Sequence, residues 1–356
     1  MARIVYGVAG EGFGHSSRSH LIGKRLIDAG HDVMFAGSNK SLEYLKLYFG
    51  DRVKEVFGLT FEYEHGKINA FATIKKNLRR FYADELNRQL FKEHIEPFSP
   101  DLVITDFEPF TAWWAIRNKV PYISIDNEHI LTHCKLESIK GQFLAHFNAW
   151  FVTRSYYFCP KAYVIISFFN APVKSKNVYL VPPAVRPVLE QFAASAGDYI
   201  LVYSTIDGGL EKLLDVFNNK FKQYKFILYG FNQARQAGNC TLKERSTEGF
   251  ITDLAHCRGV IASAGLSLIS ECLYFKKKML LLPIPGQYEQ VLNAYYVQKL
   301  GLGFAAADVD EQSLSAFLAE LEKPMPNDDR ILWASNEKFF ESLRPIFNKL
   351  PMPISL

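Results

Sequence analysis

Residues 263–303 constrain the fold of this chain more than any other stretch: SAGLSLISECLYFKKKMLLLPIPGQYEQVLNAYYVQKLGLG. They read as a tight turn, a helix, a buried strand, a loop and a second helix. Gly265, Leu266 and Ser267 open the first helix, where free N–H groups and the helix dipole favour a phosphate. Glu271 follows Ser267 by one helical turn and shares its face. The apolar strand Met279–Leu282 ends at Pro283. Beyond the loop PGQYEQ, Gln290 and Asn293 stand on one side of the next helix, and Gly301 fits its stop.

The same alternation runs through the whole chain, which implies parallel sheets with right-handed crossovers. In the first half, strands are expected at 4–9, 32–37, 101–106, 121–126 and 162–167. A helix carrying Leu21, Ile22, Leu26 and Ile27 on one stripe follows the first strand and stops at Gly30. In the second half, strands are expected at 198–205, 225–230, 259–264 and 279–283. The Pro-rich passage 177–190 reads as the linker. The expected division is 1–183, 184–335 and a final amphipathic helix within 336–356.

A chain of 356 residues is long enough for two domains. Hydrophobic residues make up 48% and charged residues 22%, an ordinary balance for a soluble globular protein. A net charge of +4, dispersed along the chain, speaks against a nucleic-acid partner. The longest basic run, Lys276–Lys278, follows a helix and is expected in water at its negative end. Cys134, Cys159, Cys240, Cys257 and Cys272 lie far apart, with neither zinc spacing nor a disulfide framework, which fits a reducing cytoplasm. The N-terminus reads as a strand rather than a signal peptide, and no apolar run reaches the length of about 18 residues that spans a membrane.

The turn GVAGEGFGHSSRSH places Gly10, Gly12 and Gly14 between the first strand and the first helix. Strand-end turns of this kind are where open α/β sheets bind ligands. A dinucleotide fingerprint would require a third glycine where His15 stands, and the second strand ends in Gly37-Ser38-Asn39, with no carboxylate for a ribose. A nicotinamide or flavin enzyme is therefore not expected. A histidine at the end of the first strand can take a proton near neutral pH; the plainer alternatives are a helix cap or a ligand contact. Asp106, at the end of the strand 101–106, is a candidate partner for it. Asp126, Glu128 and His129 stand at the end of the next strand as rivals, and Glu108, just before Pro109, reads either as a further acid or as the start of the next helix.

Taken together, Ser263, Glu271, Pro283, Glu289-Gln290 and Asn293-Ala294 resemble the donor-binding half of GT-B glycosyltransferases. The likeness is to family 28, the lipid-linked peptidoglycan glucosaminyltransferase and its relatives, and to the nucleotide-sugar enzymes of family 1. It implies two Rossmann-like α/β/α domains facing each other across a cleft, with the last helix returning to the first domain. It also implies sugar transfer, of a hexosyl or N-acetylhexosaminyl group, from a nucleotide donor, UDP above all, to an acceptor hydroxyl with inversion.

In that reading Gly14-His15 matches a Gly-His found in related enzymes. His15 is the base, Asp106 orients it, and Gly12, Phe13, Gly14, Asp126, Glu128 and His129 surround the acceptor. Ser204, Thr205, Phe250, Ile251, Ser263, Gly265, Leu266, Ser267, Glu271, Glu289, Gln290 and Asn293 bind the donor. Phe250-Ile251 are expected in an exposed loop before a short helix, where backbone groups touch the base. Two departures stand out: YSTIDGG replaces a Gly-Gly-Ser type turn, and Ser263 stands where family 1 members often carry histidine. No metal or cofactor is expected beyond the nucleotide sugar, because Asp308-Val309-Asp310 is better read with Asp310 as a helix cap.

Residues 142–158 and 71–91 combine aromatic with basic side chains. That pattern suits either the inner face of a membrane with a lipid-linked acceptor, or a helix buried between the domains. A glycan or small-molecule acceptor also fits. Two other functions share the fold: a nucleotide-sugar 2-epimerase and a non-catalytic nucleotide-sugar or glycan-binding protein.

Overall fold

The computed structural model describes residues 1–10, 12–58, 85–204 and 209–356, and two short strands within the interval 59–84. Thr205, Gly208 and the aromatic and basic residues of 71–84 lie outside the described residues, and of Phe13 only the backbone is described. The chain divides into two compact units, Met1–Arg186 with Ser335–Leu356, and Pro187–Ala334.

The first unit is built on seven strands: β1 (Arg3–Val8), β2 (Asp32–Gly37), β3 (Val53–Glu55), β6 (Leu102–Asp106), β7 (Tyr122–Asp126), β8 (Tyr163–Ile166) and β9 (Val178–Val181). A separate antiparallel ribbon pairs β4 (Tyr63–Glu64) with β5 (Lys67–Ile68). The order across the main sheet is β3-β2-β1-β6-β7-β8-β9, and every neighbouring pair is parallel. Parallel strands buried on both faces read as apolar runs, and β6 and β7 are buried along their whole length. The strand order reverses between β1 and β6, and a doubly wound sheet binds ligands beyond the strand ends at such a reversal.

The second unit repeats the plan with β10 (Tyr199–Tyr203), β11 (Lys225–Tyr229), β12 (Arg235–Ala237), β13 (Cys240–Leu242), β14 (Gly259–Ala262), β15 (Lys278–Leu281) and β16 (Gly303–Ala305). Its order is β12-β13-β11-β10-β14-β15-β16, parallel except for β12 with β13. The reversal here lies between β10 and β14. Phe217, Phe226, Leu228, Ile261, Leu280 and Phe317 form its core.

Three expectations are corrected or narrowed. The passage read as a linker, 177–190, does hold the division between the units, at Arg186 and Pro187, but its first part is β9, which pairs in parallel with β8. Lys277 and Lys278 are buried, not in water. Lys277 Nζ donates to the carbonyls of Ser195 and Cys257 at 2.5 and 2.7 Å, and Lys278 Nζ to that of Glu320 at 2.6 Å. Long lysine stems cross apolar surface and deliver the ammonium to carbonyls left over at element ends. Of the two alternatives for the aromatic helix Phe143–Tyr156, burial is the one its exposure opposes, since Thr153 is its one buried residue.

The last helix, Asn336–Asn348, lies within the first unit. Asn336 Oδ1 accepts from the Val185 N–H at 2.9 Å, and the Ser335 N–H donates to the Pro183 carbonyl at 3.1 Å. Its buried stripe is Phe339, Phe340, Leu343, Ile346 and Phe347, the spacing of an amphipathic helix.

Candidate active site

Everything at the first reversal is set by the turn after β1. Gly12 caps the helix Phe13–Asp28 at φ 81°, a backbone conformation that suits glycine. At Gly10 an added Cβ would come within 2.7 Å of the Ser38 carbonyl oxygen, so the close approach of the two strand-end loops needs the missing side chain. The turn brings His15, in the first turn of the helix, over the end of β6. There Val8 pairs with Asp106 across the sheet, and the Ala9 N–H donates to the Asp106 carbonyl at 3.0 Å.

His15 Nδ1 lies 2.7 Å from Asp106 Oδ1. The carboxylate is fully buried and has two further partners. Arg18 donates from Nε to Oδ2 and from a terminal nitrogen to Oδ1, both at 2.5 Å, and Ser19 Oγ donates to Oδ2 at 3.1 Å. Arg18 reaches on to Asn127 Oδ1 at 2.5 Å. On the other side of the imidazole, Glu128 Oε1 stands 3.4 Å from Nε2. Phe107 follows Asp106 at φ 52°, a region uncommon for a non-glycine residue. Its ring lies nearly parallel to the His15 ring, 6.5 Å away, and stacks on Tyr156 at 4.4 Å.

The charges settle one another. Burial is the largest single influence and works against the His15 imidazolium, as does Arg18, but the charge and hydrogen bond of Asp106 together with Glu128 more than offset them, and the pKa ends above the ordinary 6.5. Burial also works against the Asp106 carboxylate, yet Arg18 and His15 hold its pKa below the ordinary 3.8. Burial raises Glu128 above 4.5; His15 and Arg18 oppose the rise, while Asp126 and Asp106 add to it.

Asp126 and His129 sit behind this cluster. Both are buried, and Asp126 accepts from the His129 N–H at 2.9 Å, His129 Nδ1 at 2.8 Å, Ser124 Oγ at 2.5 Å and Tyr157 OH at 2.9 Å. This clamp brackets Asn127 and Glu128 and fixes the loop that carries them. Glu108 is the N-cap of the helix Pro109–Asn118, accepting from the N–H groups of Phe110 and Thr111 at 2.8 Å. Arg18 and Phe107 were not singled out in the sequence. Arg18 was legible in principle, one turn after His15 on the same helix.

At the second reversal, Ser204 follows β10 and Ser263 follows β14. Gly265 caps the helix Leu266–Tyr274 without a side-chain cap, and an added Cβ there would meet nothing within 4 Å. Ser267 is exposed in the first turn of this helix, and Glu271 is buried one turn further. Gln290 and Asn293, both buried, hold this turn from the helix Tyr288–Lys299. Gln290 Oε1 accepts from the N–H groups of Ala264 and Ile284, each at 3.1 Å, while its Nε2 donates to Gln287 Oε1 at 2.6 Å. Asn293 Nδ2 donates to the Ala264 carbonyl at 3.0 Å. Both lone pairs of the Gln290 amide oxygen are thus taken, and its second amide hydrogen has no partner among the described residues. Glu289 is half-buried on the same helix.

Phe250 and Ile251 do not precede a helix. They lie inside the helix Thr247–His256, capped by Ser246, and the Phe250 N–H donates to the Ser246 carbonyl at 3.0 Å. Exposed-loop backbone readout at these positions is corrected accordingly. Ile251 belongs to the core, and the Phe250 ring meets Tyr203 and Tyr229 at 5.2 and 5.4 Å. Asp310 caps the helix Glu311–Leu321 by accepting from the Ser313 N–H at 2.8 Å, and Asp308 pairs with Lys212.

The sequence model described as glycosyl transferase family 1 matches residues 2–322. An uncharacterized glycosyltransferase of Methanosarcina acetivorans is 25% identical over 328 residues, covering 85% of this chain and 84% of its own length. The glycotransferase of kitacinnamycin superposes with a TM-score of 0.66 at 16% identity, over 91% of each chain. Phytolacca americana UGT2, solved with UDP-2-fluoro-glucose and pterostilbene, superposes at 0.61 and 12% identity, over 97% of this chain and 94% of its own. The paired seven-stranded units are those of the GT-B fold, and with a family match spanning nearly the whole sequence this chain belongs to glycosyl transferase family 1.

Proposed function

We propose that this glycosyltransferase moves a hexosyl or N-acetylhexosaminyl group from a UDP donor to an acceptor hydroxyl by a single inverting displacement. The observation that carries this reading is the His15–Asp106 contact at the reversal of the first sheet. With Nδ1–H donated to Asp106, the Nε2 lone pair takes the acceptor proton. The oxygen attacks the anomeric carbon, and the bond to the diphosphate breaks with its electron pair leaving on UDP. Gly12, Gly14 and Glu128 border the acceptor, and the Asp126–His129 pair holds that loop.

In the second unit, the N-terminus of the helix Leu266–Tyr274 offsets the diphosphate charge without a metal. Glu271 accepts from ribose hydroxyls, Glu289 and the remaining Gln290 amide hydrogen contact the sugar, and Ser204 and Ser263 border the phosphates. The UDP-2-fluoro-glucose in the Phytolacca neighbour supports the choice of donor. Incubating the protein with a panel of UDP-sugars and acceptors, and following UDP release and the anomeric configuration of the product, tests the reading. UDP binding without sugar transfer to any acceptor would favour a binding protein instead.

The acceptor reading is a lipid-linked one, used at the inner face of a membrane. No helix among the described residues is long and apolar enough to cross a bilayer. Phe143, Phe147 and Phe151 form an exposed stripe at helical spacing, with Leu144 beside it 73% exposed. Trp113 and Ile116 on the helix Pro109–Asn118 and Phe158 are also exposed, and Trp113 Nε1 donates to the Tyr156 carbonyl. Exposed Arg117, Lys119, Lys140, Arg154 and Lys161 occur in the same segments. An apolar stripe accompanied by bases suits an anionic lipid surface.

A further inference from the structure

His15 has two faces, and each meets a carboxylate. Nδ1 lies 2.7 Å from Asp106 Oδ1, and Nε2 lies 3.4 Å from Glu128 Oε1. One arginine stands among them. Arg18 grips both oxygens of Asp106 at 2.5 Å, places its terminal nitrogen 2.7 Å from His15 Nδ1, and lies 3.9 Å from Glu128 Oε2. The groups facing His15 are therefore Arg18 from its own helix, Asp106 and Phe107 from the end of β6, and Glu128 with Asn127 from the loop after β7. Two acids against one arginine leave one negative charge when the imidazole is neutral. The cluster is balanced when the imidazole is charged.

The geometry at Nε2 is informative. Where Nδ1 holds the hydrogen and donates it to Asp106, the Nε2 lone pair and the Glu128 carboxylate face each other across 3.4 Å and repel; where Nε2 holds it, Arg18 donates to Nδ1 and the Nε2 hydrogen faces Glu128. A proton between them removes the repulsion. Resting on the reading of His15 as the base, we propose that the base is a four-residue unit in which Arg18 locks Asp106 and offsets its charge, while Glu128 faces Nε2 and stabilises the proton that His15 takes up. In the reaction the acceptor O–H bond breaks and leaves its electron pair on oxygen. The proton joins the Nε2 lone pair, and the resulting imidazolium is held between Asp106 and Glu128 until the proton passes to water. Arg18 and Glu128 act as positioning residues. Without Arg18, the Asp106 charge acts undamped and His15 holds its proton too tightly to serve as a base near neutral pH. Without Glu128, the imidazolium loses its second partner.

The test is a titration of 15N-histidine-labelled protein followed by NMR, with His15 assigned from a His15→Gln variant. It needs no substrate, so it stands or falls apart from the glycosyl-transfer assay. Arg18→Gln is expected to move the His15 midpoint to higher pH, and Glu128→Gln to move it to lower pH. In the transfer assay, the acid limb of kcat/KM is expected to move the same way in each variant, with Arg18→Lys restoring part of the displacement. Thermal melts establish that each variant is folded, and if Arg18→Gln is not, Arg18→Lys carries that arm, with a smaller displacement in the same direction. A His15 midpoint unchanged in both folded variants overturns the proposal, as does a displacement of the opposite sign in either.

Discussion

Arg18 and His15, one helical turn apart, converge on the same oxygen of Asp106: Arg18 at 2.5 Å and His15 Nδ1 at 2.7 Å. The helix puts both side chains on one face, and the turn at Gly10–Gly12 aims that face at the end of β6. The carboxylate is fully buried, so its charge is held by these two partners and by Ser19, not by water.

His15→Ala is expected to slow turnover by about 10²–10⁴-fold while UDP binding persists, because a protonated hydroxyl is a poor nucleophile without a positioned base. Asp106→Asn should slow it less, since the imidazole remains but loses its orienting charge. Steady-state rates with a UDP-sugar, alongside calorimetric UDP titrations, measure both. Full activity in His15→Ala would remove the base assignment and leave Glu128 as the leading alternative.

The pH dependence follows from the directions of the shifts. His15 must be unprotonated to act, and its pKa lies above 6.5, so the acid limb of kcat/KM should fall above pH 6.5. Its contribution to stability has the opposite sense: it is fully present below the unfolded pKa and is lost as pH rises through the folded value. Asp106 is depressed below 3.8, so its contribution is present above 3.8 and is lost as pH falls through the folded value. Thermal melts across pH should separate these two windows: His15→Gln should lose the first and keep the Arg18 part of the second, whereas Asp106→Asn should lose both, because Asp106 is what raises His15.

Gln290→Ala is expected to lower stability by about 1–3 kcal/mol, because it leaves the backbone N–H groups of Ala264 and Ile284 without their acceptor. The same change should weaken UDP-sugar binding by loosening the turn that opens the helix Leu266–Tyr274. Denaturant unfolding reads the first effect and calorimetry the second; a variant as stable as the parent would show that Gln290 does not hold the turn.

UDP affinity should fall by about 1–3 kcal/mol in Glu271→Ala, the loss of a charge-assisted hydrogen bond to ribose. Equal affinity in mutant and parent would take Glu271 out of the ribose site.

For the membrane, the parent should co-sediment with vesicles containing anionic lipid at low salt and detach in high salt. Phe147→Glu should abolish that binding while leaving the melting temperature near the parent's, because the side chain is exposed. Vesicle binding undiminished in this variant would place the lipid contact elsewhere, and no binding by the parent would favour a glycan or small-molecule acceptor.

Much of this architecture was readable in the residues themselves. The inner strands β1, β2, β6, β7, β10, β11, β14 and β15 are apolar runs closed by turn residues, because a parallel strand covered on both faces admits few polar side chains. His15 stood out because it occupies a position where a dinucleotide site would need glycine. The helix cap at Asp310 was equally plain, since Asp with Ser three residues on is a local signal. The strands β3, β12, β13 and β16, three residues each, carry too few side chains to show a period, and β9, as long as β14 and β15, was hidden by the prolines that follow it.

What only the tertiary structure decided is which polar groups meet. Lys276–Lys278 looked like a solvated triplet, but carbonyls brought from Ser195, Cys257 and Glu320 give the ammonium groups of Lys277 and Lys278 partners in the interior. Gln290 and Asn293 were visible as neighbours on a helix, while the turn they hold is some twenty-nine residues from Asn293 in sequence. Arg18 lay in plain sight, yet its partner Asp106 is 88 positions away. Local sequence sets the period of an element and the side chains on each of its faces. A buried charge is settled by whatever the crossover connections bring opposite it, and that pairing is a property of the folded sheet.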